Sequence, residues 1–291
     1  MSAVDDRPVF RFAPSPNGHL HLGHAYSALV NQSLCNAVNG QMLLRIEDID
    51  TARCTQQLEK DMLEDLLWLG FEWVEEPRRQ SSHFADYREA LSMLIDADLA
   101  YPSTMSRGEL RAIVERSKAD GEAWPHDPDG APLHPGRDYE ASSVNDGDDA
   151  IWRLDVAAAK THLGVETVAW EENGFGPDGE TGLVVADPAA WGDFVLARRD
   201  TPTSYHLSVV VDDALQGITH VVRGRDLFHA TSAHSLLQDL FGYPKPRYFH
   251  HDLILQDGTD RKLSKSAKDT SLRALRNAGA TPSDIKRMVG V

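Results

Sequence analysis

The feature that most restricts the fold is an alternation near the start of the chain. PVFRF, Pro8 to Phe12, has the composition of a short buried strand, and Pro14 and Pro16 break it because they cannot continue a ladder. A loop rich in histidine and glycine follows. Leu22 to Val38 then has the composition of a helix, closed by Asn39-Gly40. QMLLRIEDID supplies a second buried strand that ends in acidic residues. Thr55 can cap the next helix, in which Leu58, Met62, Leu66 and Leu69 recur at helical spacing before Gly70 ends it. A further helix is expected from about His83 to Asp96. Strand, helix, strand, helix in quick succession is the start of a parallel α/β sheet.

The alternation is lost between Pro102 and Gly147, where AWPHDPDGAPLHPGRD is rich in Pro, Gly and Asp, and no element is placed after about Lys118. Strands are expected again in AIWRLDV and DFVLARRD. SYHLSVVVDDAL reads as another element packed on the sheet, ITHVVRG as a strand, Asp226 to Phe241 as a helix and YFHHDLIL as a last strand. Two short helices, Leu272 to Asn277 and Ser283 to Val289, are expected at the end.

A formal charge of −16 argues at first sight against a polyanionic partner, but from Ser117 to Asp193 the chain carries 17 acidic and only 4 basic side chains. The acidity is therefore local, and the nearly neutral flanks do not exclude an anionic ligand. No apolar run approaches a membrane span, and MSAVDDRPVF lacks an apolar signal segment, so a cytoplasmic protein with no membrane partner is expected. Cys35 and Cys54 are too few for a disulfide framework and make no metal-ligand pattern. No stretch reads as a dedicated dimer face, and a monomer is expected.

Two short motifs carry chemistry. HLGH, from His21 to His24, sits where a strand gives way to a helix N-terminus, whose free N–H groups and dipole favour phosphate. Gly23 removes a side chain so that a flat ring or ribose can approach the backbone. His21 and His24 fall on one side of the first turn, where both can donate to one anionic group. Far downstream, KLSKS places Lys262 and Lys265 on a loop, where ammonium groups can close on phosphate oxygens as charge builds in a transition state. Alone, the first motif is compatible with two surface histidines and the second with a solvated basic loop.

Together and in this order they resemble the HIGH and KMSKS signatures of class I aminoacyl-tRNA synthetases, with Leu22 and Leu263 as variant positions. RFAPSPNGHLHLGHA, LLRIEDID, VVVDD and VVRGRDL are similar to the glutamyl and glutaminyl branch of that class. The resemblance implies a Rossmann-like parallel sheet with a connective insertion and a short helical C-terminal segment. It divides the chain into a first half of the catalytic domain (1–101), an insertion (102–149), a second half (150–250), and a KMSKS-like loop with its helical tail (251–291). Few residues follow Ser266, whereas a discriminating glutamyl-tRNA synthetase needs a long helical anticodon-binding domain there. A catalytic domain alone resembles the glutamyl-Q tRNA(Asp) synthetases, which attach glutamate to the queuosine base at the wobble position of tRNA(Asp).

That resemblance implies ATP and L-glutamate as substrates and queuosine-bearing tRNA(Asp) as partner. Magnesium would accompany ATP, bound mainly by phosphates and water. His21 and His24 would bind phosphate oxygens, Gly23 would admit the nucleoside, and Lys265, helped by Lys262, would neutralise the leaving pyrophosphate. Arg11 matches the family's glutamate-recognising arginine, whose guanidinium fork can hold a carboxylate bidentately. Ala13 and Ser15 would line the same turn, Glu47 would receive the substrate ammonium, and Tyr205 and Arg223 would complete the amino-acid pocket. A structural pairing of Glu47 with Arg45 or Arg53 is the alternative for that carboxylate, and Asp48 and Asp50 read as structural.

The sequence departs from many relatives in the insertion. Ser103 and Met105 stand where the relatives' zinc-binding cysteines would be, with His134 and Asp138 at what correspond to the other two positions. A hydroxyl and a thioether are poor zinc ligands beside thiolates, so no structural zinc is expected. Met105 is expected in a small core and His134 on a surface loop. The competing readings are a truncated tRNA(Glu)-charging enzyme, a non-catalytic tRNA-binding paralogue, and a small-molecule adenylyltransferase sharing the HxGH nucleotide site. RIEDID and VVRGRD do not belong to the last group.

Overall fold

A computed structural model describes residues 7–140, 150–254 and 270–291. Val9–Phe12 is β1, Leu22–Ala37 is α1 and Gln41–Ile46 is β2, and the two strands pair in parallel from Val9 with Gln41 to Phe12 with Leu44. Alternation along them separates two faces. Phe10, Phe12, Met42, Leu44 and Ile46 join one buried cluster, while Leu43 joins another. Arg11 and Arg45 are nevertheless buried on these strands, and something must compensate their charge.

The second helix, α2, is Gln56–Leu69. Thr55 Oγ1 accepts the Leu58 N–H, and Gly70 closes the helix at a φ of 82°, in the left-handed region. The two-residue β3, Arg78–Arg79, adds to the sheet beside β2, and Phe84–Asp96 is α3. Ala100–Ser103 (β4) leads to α4, Arg107–Ala119, which buries no residue and is held at its start by a reciprocal Ser106–Glu109 cap.

Ile151–Leu154 is β5, Val156–Leu163 is α5, Val168–Glu172 is β6 and Gly182–Ala186 is β7. Of these, α5, β6 and β7 have no counterpart among the elements expected from the sequence. Val195–Ala197 is β8, and SYHLSVVVDDAL forms the helix α6, Tyr205–Leu215. His220–Gly224 is β9, Ala230–Phe241 is α7, and Arg247–His251 is β10, which stops short of the expected LIL extension. Leu272–Asn277 and Pro282–Val289 are α8 and α9.

The main sheet has the order β3-β2-β1-β9-β10-β6-β7, parallel except for β7 at its edge, and β4, β5 and β8 make a separate antiparallel sheet. Strand order reverses between β1 and β9. In such sheets the crevice at the carboxyl ends of the strands flanking the reversal is the natural ligand site. Arg11 on β1 and Arg223 on β9 both sit at that end. The last two helices return to the first layer, where Leu272, Ile285 and Val289 are buried with Leu20, Ala25 and Leu66. No described helix is long and apolar enough to cross a membrane.

The insertion corrects one expectation. His134 is not a surface residue: its side chain is 1% exposed, with Nδ1 3.1 Å from the Tyr101 hydroxyl and Nε2 3.3 Å from Ser103 Oγ and 3.1 Å from Glu140 Oε1. Ser103 also donates to Glu140. Burial first, then Arg153, lowers the His134 pKa to about 4 against the opposing pull of Glu140. Asp138 is exposed in a short turn, and Glu140 meets His134 instead. Met105 is half-buried. The loop composition around His134 suggested a surface position, but the hydrogen bonds that bury it come from β4 and from Glu140.

Candidate active site

His21 is the cap of α1. Its Nδ1 accepts the Gly23 N–H at 3.1 Å, and its own N–H donates to His24 Nδ1 at 3.2 Å. Both Nδ1 atoms are thereby acceptors, so both neutral imidazoles carry their proton on Nε2. The ring centroids are 3.9 Å apart. A Cβ at position 23 would lie 3.0 Å from His21 Cε1, so the glycine also protects the pose of that ring.

A cavity of about 900 Å³ opens beside this helix start. It is lined by His21, Gly23 and His24 together with Ala13 and Ser15 of the loop after β1. Arg11, Glu47, Tyr205 and Arg223 line the same cavity. Lys262 and Lys265 lie in 255–269, outside the described residues. The chain on either side, at Ile254 and at Ser271, lines the cavity as well, and Ser271 bridges to His21.

Local structure explains how the polar groups are held. The Glu47 N–H donates to the Pro14 carbonyl at 3.2 Å, tying the end of β2 to the turn after β1. Asn31 of α1 donates to the Arg11 carbonyl at 2.8 Å. Arg11 Nε donates to Asp213 Oδ1 at 3.1 Å, and Arg45 reaches the same oxygen at 2.5 Å. Neighbouring Asp212 accepts from Arg78, Gln80 and Tyr87. Two adjacent buried aspartates on α6 therefore hold the strand arginines in place. Burial alone would raise the Asp213 pKa, but Arg11 and Arg45 outweigh it and hold it below the usual carboxylate range.

Glu47 behaves differently. Its carboxylate is 3.7 Å from Arg45 Nε, too far for a hydrogen bond, and burial pushes its pKa up to about 7 despite Arg45 and Arg11. The structural alternative for Glu47 is therefore met only as a loose pair with Arg45. Asp48 accepts from the Ser81 N–H and hydroxyl, and Asp50 pairs with Arg53, so both have structural partners.

Arg223 donates to the Tyr205 hydroxyl at 3.4 Å, the Leu227 carbonyl at 3.1 Å and Thr231 Oγ1 at 2.7 Å, and lies against His250 and His234. His250, His234 and Asp213 were not singled out from sequence. The only signal for Asp213 was its place in VVVDD, and the histidines carried none.

A second cavity, of about 780 Å³, shares Ser15, Asn17, Glu47, Arg53 and Tyr205 with the first and extends to Trp191 and Phe194. Among the described residues no group of three His, Cys, Asp or Glu side chains is arranged to hold a metal ion. Cys35 is buried and Cys54 half-buried, with Cys54 Sγ 3.6 Å from Ser15 Oγ, and neither forms a disulfide with a described residue.

Residues 9–290 match the family model described as tRNA synthetases class I (E and Q), catalytic domain. A glutamyl-Q tRNA(Asp) synthetase of Rhodobacter capsulatus is 42% identical over 286 residues, covering 97% of this chain and 100% of that protein. A glutamate–tRNA ligase of Prochlorococcus marinus is 37% identical over 284 residues, and this chain spans 55% of its length. Among solved structures, a glutamate-tRNA synthetase from Elizabethkingia anophelis superposes with a TM-score of 0.75 at 23% identity, over 98% of this chain and 61% of that one. At that identity the likeness concerns the fold.

Proposed function

The chain belongs to the class I tRNA synthetases of the glutamate and glutamine branch, a family of ligases, and on that premise we propose that it activates L-glutamate with ATP and transfers it to queuosine in tRNA(Asp). The observation that carries the glutamate part is one cavity in which the guanidinium groups of Arg11 and Arg223 and the carboxylate of Glu47 line the wall beside the HLGH helix start. The acceptor is supported by identity over the whole length of the glutamyl-Q relative.

In the first step an oxygen of the glutamate α-carboxylate bonds to the α-phosphorus of ATP, and pyrophosphate leaves. The Nε2–H groups of His21 and His24 and the helix N-terminus bind phosphate oxygens, and Gly23 leaves room for the nucleoside. Lys265, aided by Lys262, neutralises the leaving group. Magnesium, when carried on the nucleotide phosphates, would lower their charge. Arg11, Ser15, Tyr205 and Arg223 hold the substrate carboxylates, with Ala13 forming part of the wall, and Glu47 takes the ammonium. Positioning and charge neutralisation supply most of the acceleration. In the second step a hydroxyl of the queuosine cyclopentenediol attacks the carbonyl carbon of the adenylate, and AMP leaves. The cavity that meets the first at Glu47 and Tyr205 offers room for that nucleoside.

Transfer of labelled glutamate tests this reading, using ATP, magnesium and tRNA(Asp) with or without queuosine, and an unmodified tRNA(Glu) transcript in parallel. Label confined to queuosine-bearing tRNA(Asp) is expected. Label on tRNA(Glu) instead would favour the charging reading, and no glutamate-dependent ATP–pyrophosphate exchange would favour the non-catalytic one.

Glu47 gives the site a pH signature. Its carboxyl, pushed up to about 7 by burial, is protonated below that value, whereas the ammonium of glutamate needs the carboxylate. Binding therefore releases a proton, and the KM for glutamate is expected to rise by up to about tenfold per pH unit below pH 7, flattening above it. Glu47→Gln is expected to raise KM and flatten the profile. A wild-type KM constant from pH 5.5 to 8.5 would refute this role.

A further inference from the structure

A file of buried polar groups runs behind Arg223, away from the cavity. Arg223 Nε donates to His250 Nε2 at 3.0 Å, and His250 Nδ1 lies 2.6 Å from Glu172 Oε2. The other carboxylate oxygen accepts the backbone N–H groups of His250 and Gly174, both at 2.9 Å. The His250 and Glu172 side chains are each 0% exposed. The three residues come from the neighbouring strands β9, β10 and β6, with Arg223 opposite His250 in the register.

The proton inventory gives this file a direction. An arginine Nε–H can only donate, so His250 Nε2 must accept, and the imidazole proton sits on Nδ1 facing Glu172. Burial would raise the Glu172 pKa, but the His250 hydrogen bond and the backbone N–H groups hold it low, while burial brings His250 down to about 4. The sequence along the file is thus carboxylate, neutral imidazole, guanidinium. Gly174 makes the geometry possible, since a Cβ there would lie 2.4 Å from the His250 carbonyl oxygen.

The wiring differs from that of Arg11, whose charge is matched directly by Asp213 at 3.1 Å. Among the described residues Arg223 pairs with no carboxylate; its five hydrogen-bond partners are two imidazoles, a phenol, a hydroxyl and a carbonyl. We propose that Glu172 and His250 are positioning residues for Arg223. Together they fix a neutral imidazole behind the guanidinium, which aims it at the cavity and leaves its positive charge for a substrate carboxylate. This rests on the reading that the cavity takes glutamate. Neither residue lines that cavity, so both act through Arg223.

The wild-type protein supplies the first test. Long-range proton–nitrogen correlation of its imidazoles should show His250 as the Nδ1–H tautomer, and an Nε2–H tautomer would overturn the proposal whatever the substrate proves to be. Glu172→Gln is the second. The two fixed backbone donors hold the amide oxygen, so the amide NH₂ turns to Nδ1 and drives the proton to Nε2, setting donor against donor at Arg223. The KM for glutamate should rise about tenfold, with the KM for ATP changed less than about twofold. His250→Gln, which keeps an acceptor where Nε2 stood, should stay within about threefold of wild type, while His250→Ala should match Glu172→Gln. Equal KM values in the two His250 variants, or glutamate and ATP KM values rising together, would overturn the proposal. Should Glu172→Gln not fold, the His250 pair and the wild-type tautomer decide. A wild-type protein that ignores glutamate would refute the substrate assignment, and the tautomer would still test the file.

Discussion

Arg223→Gln is expected to lower kcat/KM for glutamate in ATP–pyrophosphate exchange by about a thousandfold, roughly 4 kcal/mol, and to leave the KM for ATP within about twofold. Arg223 is a 6% exposed cation whose described hydrogen-bond partners are all neutral, so among the described residues no carboxylate pairs with it directly, and the proposed substrate carboxylate would be the first to do so. Deleting the charge removes an interaction that water cannot replace in so buried a position. Arg223→Lys should not rescue, because one ammonium cannot serve five partners spread around a planar fork. Arg11→Ala should also lose glutamate-dependent exchange with ATP binding intact. That variant, however, additionally strips a partner from Asp213, so its effect mixes binding with stability. Arg223 gives the cleaner measurement, and activity within about fivefold of wild type would remove it from the pocket.

Much of the first layer was legible because its signals are local. Pro14 and Pro16, the cap at Thr55 and the stop at Gly70 each act within a few residues, and β1, α1 and α2 start and end within a residue or two of the expected places, whereas β2 starts at Gln41 as expected but stops at Ile46, four residues short of Asp50. The HLGH and RFAPSP residues could be set in one site because motif spacing and chain order are visible in a sequence. What was not legible depends on distant partners. SYHLSVVVDDAL has a β-branched run, yet Ser204 caps it as a helix whose Asp212 and Asp213 meet arginines from β1, β2 and β3. No local rule announces that a buried aspartate will find Arg11. The elements α5, β6 and β7 are short and lie in the acidic segment between the two expected strands, where the sequence reading places no element, and Glu172 lies among them. The loop composition around His134 likewise says nothing of Tyr101, Ser103 and Glu140, which bury it.

The largest stability effect is expected at Asp213. One of its oxygens takes both Arg11, at 3.1 Å, and Arg45, at 2.5 Å, and Arg45 is wholly buried. Asp213→Ala leaves two guanidinium groups with too little negative charge, and unfolding in urea should show a loss of about 3–5 kcal/mol. Asp213→Asn keeps an acceptor oxygen and should lose less, which separates the charge from the hydrogen bond. The pH dependence carries a second signature. Because the folded-state pKa of Asp213 lies below its unfolded value, its contribution is complete above the ordinary carboxylate range and is lost as the pH falls through the lowered value. The stability gap between wild type and Asp213→Ala should therefore be constant near neutrality and shrink in acid. A loss below about 1 kcal/mol, or a gap that widens in acid, would mean that the arginines are compensated elsewhere. The same carboxylate holds Arg11 at the cavity wall, so the stability of the sheet and the aim of the arginine proposed to bind glutamate depend on one side chain. Asp213→Asn should accordingly weaken glutamate binding even at temperatures where it remains folded.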